Sequence, residues 1–339
     1  MKKKIKILLL FILPMLLFVA CDTTDEEEKV AKQLQEERYF DLYMSSTYKD
    51  TIDPPRESGL YYIDFAEGDG ASPGAEDWLY LNYVGYTIPG DFVVDTYIEN
   101  VVISSGFYDE VGGAALFGRF KMQNGSGPDG LTEGLTMMKV GGKAILCFKS
   151  DLAYGELGTT LMRSVAGYQS MKYEVELLEV IGEDIEAYED AKFHAYVDNI
   201  VGVDTTVIAD TIHDPTTDSY MYYIVDEAMP DSALVVMDTA VAVTYKGYLT
   251  DGRVFDENLE GDPLTFTMEA NAVINGWILG LQRFREGEKG RLIIPYTLAY
   301  GEDGNMSNGV VGIPPYETLV FEIEVRDLAA TEEEIEKLR

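Results

Sequence analysis

Val241-Ala242-Val243-Thr244-Tyr245-Lys246-Gly247-Tyr248 is the stretch on which the fold turns. Residues 241–245 alternate as a half-buried strand does. The Tyr-x-Gly-Tyr ending is not unique in the chain: Asn82-Tyr83-Val84-Gly85-Tyr86 matches Thr244–Tyr248. Three more landmarks follow in the same order. Phe120-Lys121-Met122 matches Phe266-Thr267-Met268, Leu152-Ala153-Tyr154-Gly155 matches Leu298-Ala299-Tyr300-Gly301, and Tyr173-Glu174-Val175-Glu176 matches Phe321-Glu322-Ile323-Glu324. An ordered set of landmarks repeated once is the signature of duplication.

The repeat extends upstream. Glu27 to Tyr43 and Asp184 to Asn199 both read as amphipathic helices. Each leads through a polar, proline-containing linker (Asp53-Pro54-Pro55; His213-Asp214-Pro215) to an aromatic strand, Leu60-Tyr61-Tyr62-Ile63 or Met221-Tyr222-Tyr223-Ile224. The expected units are 56–181 and 216–329, with 21–55 and 182–215 as helical lead-ins and 330–339 as a tail. Within the second unit, Leu319 to Val325 alternates as a strand, while Ile274, Trp277, Ile278 and Leu281 fall at helical spacing between Val273 and Phe284. The expected class is α+β, two domains each with a twisted antiparallel sheet wrapped around one short helix.

The second unit carries a closer pattern. Tyr245 to Asp256 contains a tyrosine strand, a glycine turn (Asp251-Gly252) and the pair Phe255-Asp256. Val273-Ile274-Asn275-Gly276-Trp277 and Gly280-Leu281 follow, then Gly287-Glu288-Lys289, Ile293-Ile294-Pro295, Ala299-Tyr300-Gly301, Ile313-Pro314-Pro315 and Thr318 to Phe321. From Asp238 to Leu328 this resembles the FKBP-type peptidyl-prolyl cis/trans isomerases. The resemblance implies an apolar pocket for a proline ring, with Trp277 as floor and Tyr245, Phe255, Val273, Ile313 and Phe321 as walls. It implies that Tyr300 holds substrate through its hydroxyl, that the Ile274 N–H binds a substrate carbonyl, and that Asp256 lies beside the rotating carbonyl, paired with Tyr245. Leu264 stands where many members carry an aromatic residue, and the loop from Glu302 to Gly312 is longer than in the most compact members. The activity needs no nucleophile, metal or cofactor, and its partners are proline-containing polypeptides.

In the first unit those positions have drifted. Leu131 replaces Trp277, Gly127-Pro128 replaces Val273-Ile274, Val94-Asp95 replaces Phe255-Asp256, and Val165-Ala166-Gly167 replaces Ile313-Pro314-Pro315. Pro128 also lacks the N–H assigned to Ile274. The expectation is a scaffold with weak or absent activity. Its long segment Val101 to Phe117 reads either as a polypeptide-binding flap or as a surface loop, the second being favoured.

The remaining chain limits the setting. With 26 basic and 60 acidic residues among 339, the net charge is −34, which disfavours nucleic acid. Lys2, Lys3, Lys4 and Lys6 precede an apolar run, Ile7 to Val19, ending at Ala20-Cys21. This resembles a bacterial lipoprotein signal with Cys21 as the lipidated residue, placing the protein on the cell envelope, on the outer membrane. The acidic Asp22 to Glu28 reads as a solvated tether and resembles surface-export signals of Bacteroidota lipoproteins. Cys147, the second of two cysteines, is expected in the core, and His194 and His213 give no basis for a triad or metal centre. Beside catalysis, a non-catalytic polypeptide-binding role and a spacer role in an envelope assembly stay open.

Overall fold

The computed structural model describes residues 23–49, 53–96, 118–123, 125–160, 164–203, 209–259, 263–307 and 310–338. Cys21, the apolar leader and the segment Val101 to Phe117 lie outside them. No described helix is long and apolar enough to cross a membrane.

The first domain has six antiparallel strands: β1 (Tyr61–Ala66), β2 (Trp78–Ile88), β3 (Val93–Thr96), β4 (Arg119–Lys121), β5 (Lys143–Phe148) and β6 (Ser170–Gly182). Their order is β1-β5-β6-β2-β3, with β4 also pairing β2. The second has seven: β7 (Ala209–Asp214), β8 (Ser219–Glu227), β9 (Ala240–Leu249), β10 (Val254–Asn258), β11 (Leu264–Thr267), β12 (Lys289–Ile294) and β15 (Leu319–Ala329), ordered β10-β9-β15-β12-β8-β7 with β11 pairing β9. A small hairpin, β13 (Asn305–Ser307) and β14 (Val310–Ile313), stands apart. Apart from β7 and this hairpin, the two sheets superpose strand for strand, down to register. Gly85 pairs with Tyr173 as Gly247 pairs with Phe321, and Tyr61 pairs with Cys147 as Tyr222 pairs with Ile293. The duplication is therefore structural as well as sequential.

One short helix fills each sheet's concave face. α2 (Asp129–Thr136) buries Leu131 and Leu135, and α4 (Asn275–Leu281) buries Trp277, Ile278 and Leu281. Both lie close enough to the sheet to require glycine. A Cβ on Gly130 would meet Phe148 at 2.5 Å, and one on Gly276 would meet Ile294 at 2.3 Å. Burial of each large apolar side chain contributes roughly 1.5–3 kcal/mol, so these few contacts suffice to dock helices too short to stand alone.

The lead-in helices cover the opposite faces. α1 (Thr23–Thr47) extends beyond the expected limits and sets Phe40 and Met44 against Ile88 and Cys147. Its remaining apolar residues, Val30, Leu34 and Leu42, are exposed, so only its C-terminal half behaves as an amphipathic helix. α3 (Ile185–Val203) sets Phe193 and Val197 against Ile224, Ile293 and Val320. Val320 interrupts the alternation of β15 because the sheet is covered on this side too. Cys147 is fully buried beneath α1, and burial pushes its thiol up to about 12.

Three sequence expectations change. His213 does not sit in a linker: it lies on β7, whose Ile212 is buried, and its ring stacks on Tyr220 and pairs with Asp218 at 2.9 Å. Residues 332–338 are no tail but a helix, α5 (Glu332–Leu338), which packs fully buried Ile335 against Ala240 and Ala242. In consequence β9 is not half-buried, since residues 240–244 are enclosed from both faces.

Candidate functional site

The expected pocket residues come from six places in the second domain. β9 brings Tyr245, β10 brings Phe255 and Asp256, β11 brings Leu264, and β15 brings Phe321. Val273 and Ile274 precede α4, which carries Trp277, and Tyr300 follows the 3-10 turn Tyr296–Leu298. All nine line one cavity of about 280 Å³. Ile313, the tenth expected residue, is buried in the adjoining core, at the end of β14, rather than lining this cavity. Ala272 lines it too and was not anticipated, because an alanine in a loop carries no sequence signal.

The walls are rings held edge to face. Trp277 meets Tyr245 and Phe321 at centroid distances of 5.2 Å, each at 87°, and Phe255 meets Phe321 at 5.5 Å and 86°. This is the arrangement that aromatic quadrupoles favour. Gly247 is what admits them: a Cβ there would lie 2.6 Å from Phe255 and 2.9 Å from Phe321. The Trp277 indole Nε1 is buried and meets no hydrogen-bond acceptor among the described residues.

Polar groups are confined to one rim. The Tyr245 hydroxyl donates to Asp256 Oδ2 at 2.6 Å. Burial raises the Tyr245 hydroxyl well above the usual phenol value, and the Asp256 bond adds to this, so Tyr245 stays a donor at neutral pH. Tyr300 is shifted the same way, by burial first and then by the Asp256 charge, while 37% of its surface remains open to solvent. Ile274 caps α4 with φ −58° and ψ 146°. The site is thus an apolar cup with a carboxylate, two phenols and a helix N-terminus at its edge. It can take an apolar ring and hold the amide attached to it. No cluster able to hold a metal exists among the described residues.

The first domain repeats the frame with other side chains. Pro128 caps α2 at φ −58° and ψ 139°, the conformation of Ile274 without its N–H. Leu131 replaces the indole, while Phe148, standing where the other sheet has Ile294, stacks on Tyr173 at 5.8 Å and 9°. The Tyr173 ring is fully buried, and its hydroxyl donates to Asp95 Oδ2 at 3.3 Å. Tyr83 donates to the other oxygen at 2.9 Å, and Tyr154 and Tyr173 join hydroxyls at 3.3 Å. Burial pushes the Asp95 carboxyl up to about 6 although both tyrosine hydrogen bonds oppose the shift.

A wider cleft of about 780 Å³ lies between α3 and the β7–β8 hairpin, but Asp184, Glu186, Asp190 and Asp218 line it. Carboxylates suit an apolar ring poorly, so size does not make it the better candidate.

Comparison with known proteins agrees with this geometry. The family model for FKBP-type peptidyl-prolyl cis-trans isomerase matches residues 72–178 and 233–326, one segment in each domain. The chain is similar to FkpA, an FKBP-type peptidyl-prolyl cis-trans isomerase of Escherichia coli, with 43% identity over 114 residues, covering 33% of this chain and 39% of that one. It is also similar to the macrophage infectivity potentiator of Trypanosoma cruzi, with 48% identity over 90 residues, 26% of this chain and 43% of the other. The chain thus spans about two fifths of the length of these relatives. A crystal structure of Escherichia coli FkpA aligns at 36% identity and a TM-score of 0.35, covering 44% of this chain and 63% of that one. Because the family model covers more than half of the chain, in two copies, the chain belongs to the family of FKBP-type peptidyl-prolyl cis-trans isomerases.

Proposed function

We propose that the second domain, residues 216–329, catalyses rotation about X–Pro bonds of polypeptide substrates, and that the first domain contributes little turnover. The observation that carries this reading is the ring-walled cavity floored by Trp277, with the Tyr245–Asp256 hydrogen bond at its rim. Rotation about a prolyl bond breaks no covalent bond; its barrier of about 18–20 kcal/mol is amide resonance. A dry aromatic cup disfavours the polar, planar amide relative to the twisted state, in which resonance is lost. Donors and acceptors at the rim, the Tyr300 hydroxyl, the Ile274 N–H and Asp256, then bind the twisted geometry better than either planar one. Neither proton transfer nor a nucleophile enters the step.

Protease-coupled isomerisation of a proline tetrapeptide tests the reading. Wild type is expected to accelerate exchange that otherwise takes roughly tens to hundreds of seconds. The Trp277→Ala, Tyr300→Phe double variant is expected to lose that acceleration; equal rates in the two proteins would sink the assignment.

The setting we propose is the bacterial cell envelope, with Cys21 lipidated on the outer membrane and newly exported chains as substrates. The leader Lys2 to Val19 ending at Ala20-Cys21 supports it. Labelling with palmitate is expected in wild type and absent in Cys21→Ser. A polypeptide-binding role without turnover is the second reading, favoured by the acidic chain and by the first domain's loss of the indole and of the Ile274 N–H. Suppression of client aggregation that survives the double variant is its signature.

A further inference from the structure

The pocket of the second domain is gripped by the first. Arg119 lies on β4, and its side chain is wholly buried, yet most of its partners belong elsewhere in the chain. Its Nη1 donates to the carbonyl oxygen of Pro315 at 2.5 Å. Its Nη2 pairs with Glu317 at 2.8 Å and with Glu189 of α3. Among the described residues of its own domain, its guanidinium bonds the Tyr80 hydroxyl, to which Nε and Nη2 donate at 3.1 and 3.0 Å. Lys192 of α3 completes the cluster, 2.7 Å from Glu317 and 3.3 Å from Glu189. Arg119, Glu189 and Glu317 are thereby closed off from water between the domains, with Lys192 partly exposed at their edge. Beside them Trp78 sets its ring edge to face on Tyr316 at 5.8 Å and 74°.

Three consecutive residues of the second domain, Pro315, Tyr316 and Glu317, are therefore each held by the first. They stand between Ile313, in the core adjoining the cavity, and the turn that carries Tyr300 into it. Ile313 is two residues before Pro315, and the Tyr316 N–H donates to the Gly301 carbonyl at 3.0 Å, next to Tyr300. We propose that Arg119 is a positioning residue for the isomerase pocket, through which the first domain fixes the Tyr300 turn of the second and the core residue Ile313 beside it. This rests on the reading of the second domain as the isomerase. Without the guanidinium, Glu189 and Glu317 face each other across a buried site with Lys192 as their only cation, and the Pro315–Glu317 segment loses its hold.

Full-length wild type, Arg119→Lys, Arg119→Ala and Trp78→Ala are to be compared by amide hydrogen exchange and by tetrapeptide kinetics. In Arg119→Ala, exchange over residues 299–317 is expected to quicken by about tenfold or more, with strands 240–249 and 289–294 unchanged. KM is expected to rise at least about fivefold with kcat nearly kept, since a loosened Tyr300 hydroxyl binds substrate less well. Arg119→Lys, which retains the charge, is expected to fall between. Should Arg119→Ala not fold, Trp78→Ala decides, because it removes the Tyr316 contact while leaving the Arg119 cluster in place, its other loss being the Lys121 ammonium over the ring, within the first domain; it predicts a smaller change in the same segment. Exchange over 299–317 equal to wild type in the folded variants, or quickened evenly across both domains, overturns the proposal. Absence of turnover in wild type rejects the isomerase reading instead, and the exchange pattern still judges the clamp.

Discussion

Tyr173 and Phe321 occupy the same register position, opposite Gly85 and Gly247, and differ by one hydroxyl. In the first domain that hydroxyl reaches the buried carboxylate of Asp95. In the second, Phe321 leaves Asp256 to Tyr245 alone, and the space beside it is open. Phe321→Tyr is therefore expected to put a competing donor beside Asp256, inside the cup. Tetrapeptide turnover should fall about tenfold or more, equivalent to a loss of about 1.4 kcal/mol in transition-state binding. Thermal stability should change by no more than about 1 kcal/mol, because the new hydroxyl finds a partner. Unchanged kcat/KM would remove this pair from the explanation of why the two cups differ.

Trp277→Leu gives the second floor the residue found in the first. The indole touches three rings, Tyr245, Phe266 and Phe321, and none of them extends far enough to fill its place. The expected cost is about 2–4 kcal/mol in stability, the range of a large-to-small change in a packed core. Turnover should drop further than stability does at temperatures where the variant remains folded. Pairing it with Ile294→Phe, which copies Phe148, is expected to recover stability but not turnover. Recovery of both would show that the indole is only packing.

How far these features were legible in the sequence depends on whether a residue acts locally or across the fold. The rings of the cup were legible because they fall in runs tied to particular strands and to one helix. Ala272 was not, having neither charge nor bulk to mark it. α5 did leave a signal: Thr331-Glu332-Glu333-Glu334 is a capping pattern, and the Glu334 N–H meets Thr331 Oγ1 at 3.3 Å while Glu334 accepts from the Ala330 N–H. Its brevity and the chain end hid it. The Arg119 cluster left none, since Arg119, Glu189 and Glu317 are far apart in sequence and each alone reads as a solvated charge. Only the repeat offers a hint, because Glu36 and Glu189 both stand four residues before the phenylalanine that docks its helix, Phe40 or Phe193.

Glu36 does for α1 what that hint implies. It is nearly buried, accepts from the Ser150 N–H at 2.6 Å and from the hydroxyls of Ser150 and Ser170 at 2.7 and 2.8 Å. Glu36→Ala leaves three donors facing a void. At about 1–3 kcal/mol for each donor left unpaired in a buried site, α1 is expected to release from the sheet and expose Cys147. Thiol labelling under native conditions reads this directly. Wild type should be nearly inert, while Glu36→Ala should label at least about tenfold faster, the change given by 1.4 kcal/mol of local opening. Equal labelling would mean that Phe40 and Met44 alone hold the helix.

Asp95 gives the first domain a pH dependence of defined sign. As a residue it is half-buried, but its carboxyl is enclosed by Tyr83 and Tyr173, and its folded value of about 6 lies above the ordinary 3.8. The folded state therefore holds this proton more tightly than the unfolded state does. Its contribution is fully present below about pH 4 and is lost as pH rises through about 6, by up to about 3 kcal/mol. Asp95→Asn cannot titrate there. The stability of Asp95→Asn relative to wild type is thus expected to climb steadily from pH 4 to pH 7 and to level off above, whatever its sign at the acid end. Thermal unfolding of both proteins at matched ionic strength, followed through the first-domain transition, measures that difference. A flat difference over this window would place the Asp95 carboxyl in contact with water and remove burial as the reason for its shift.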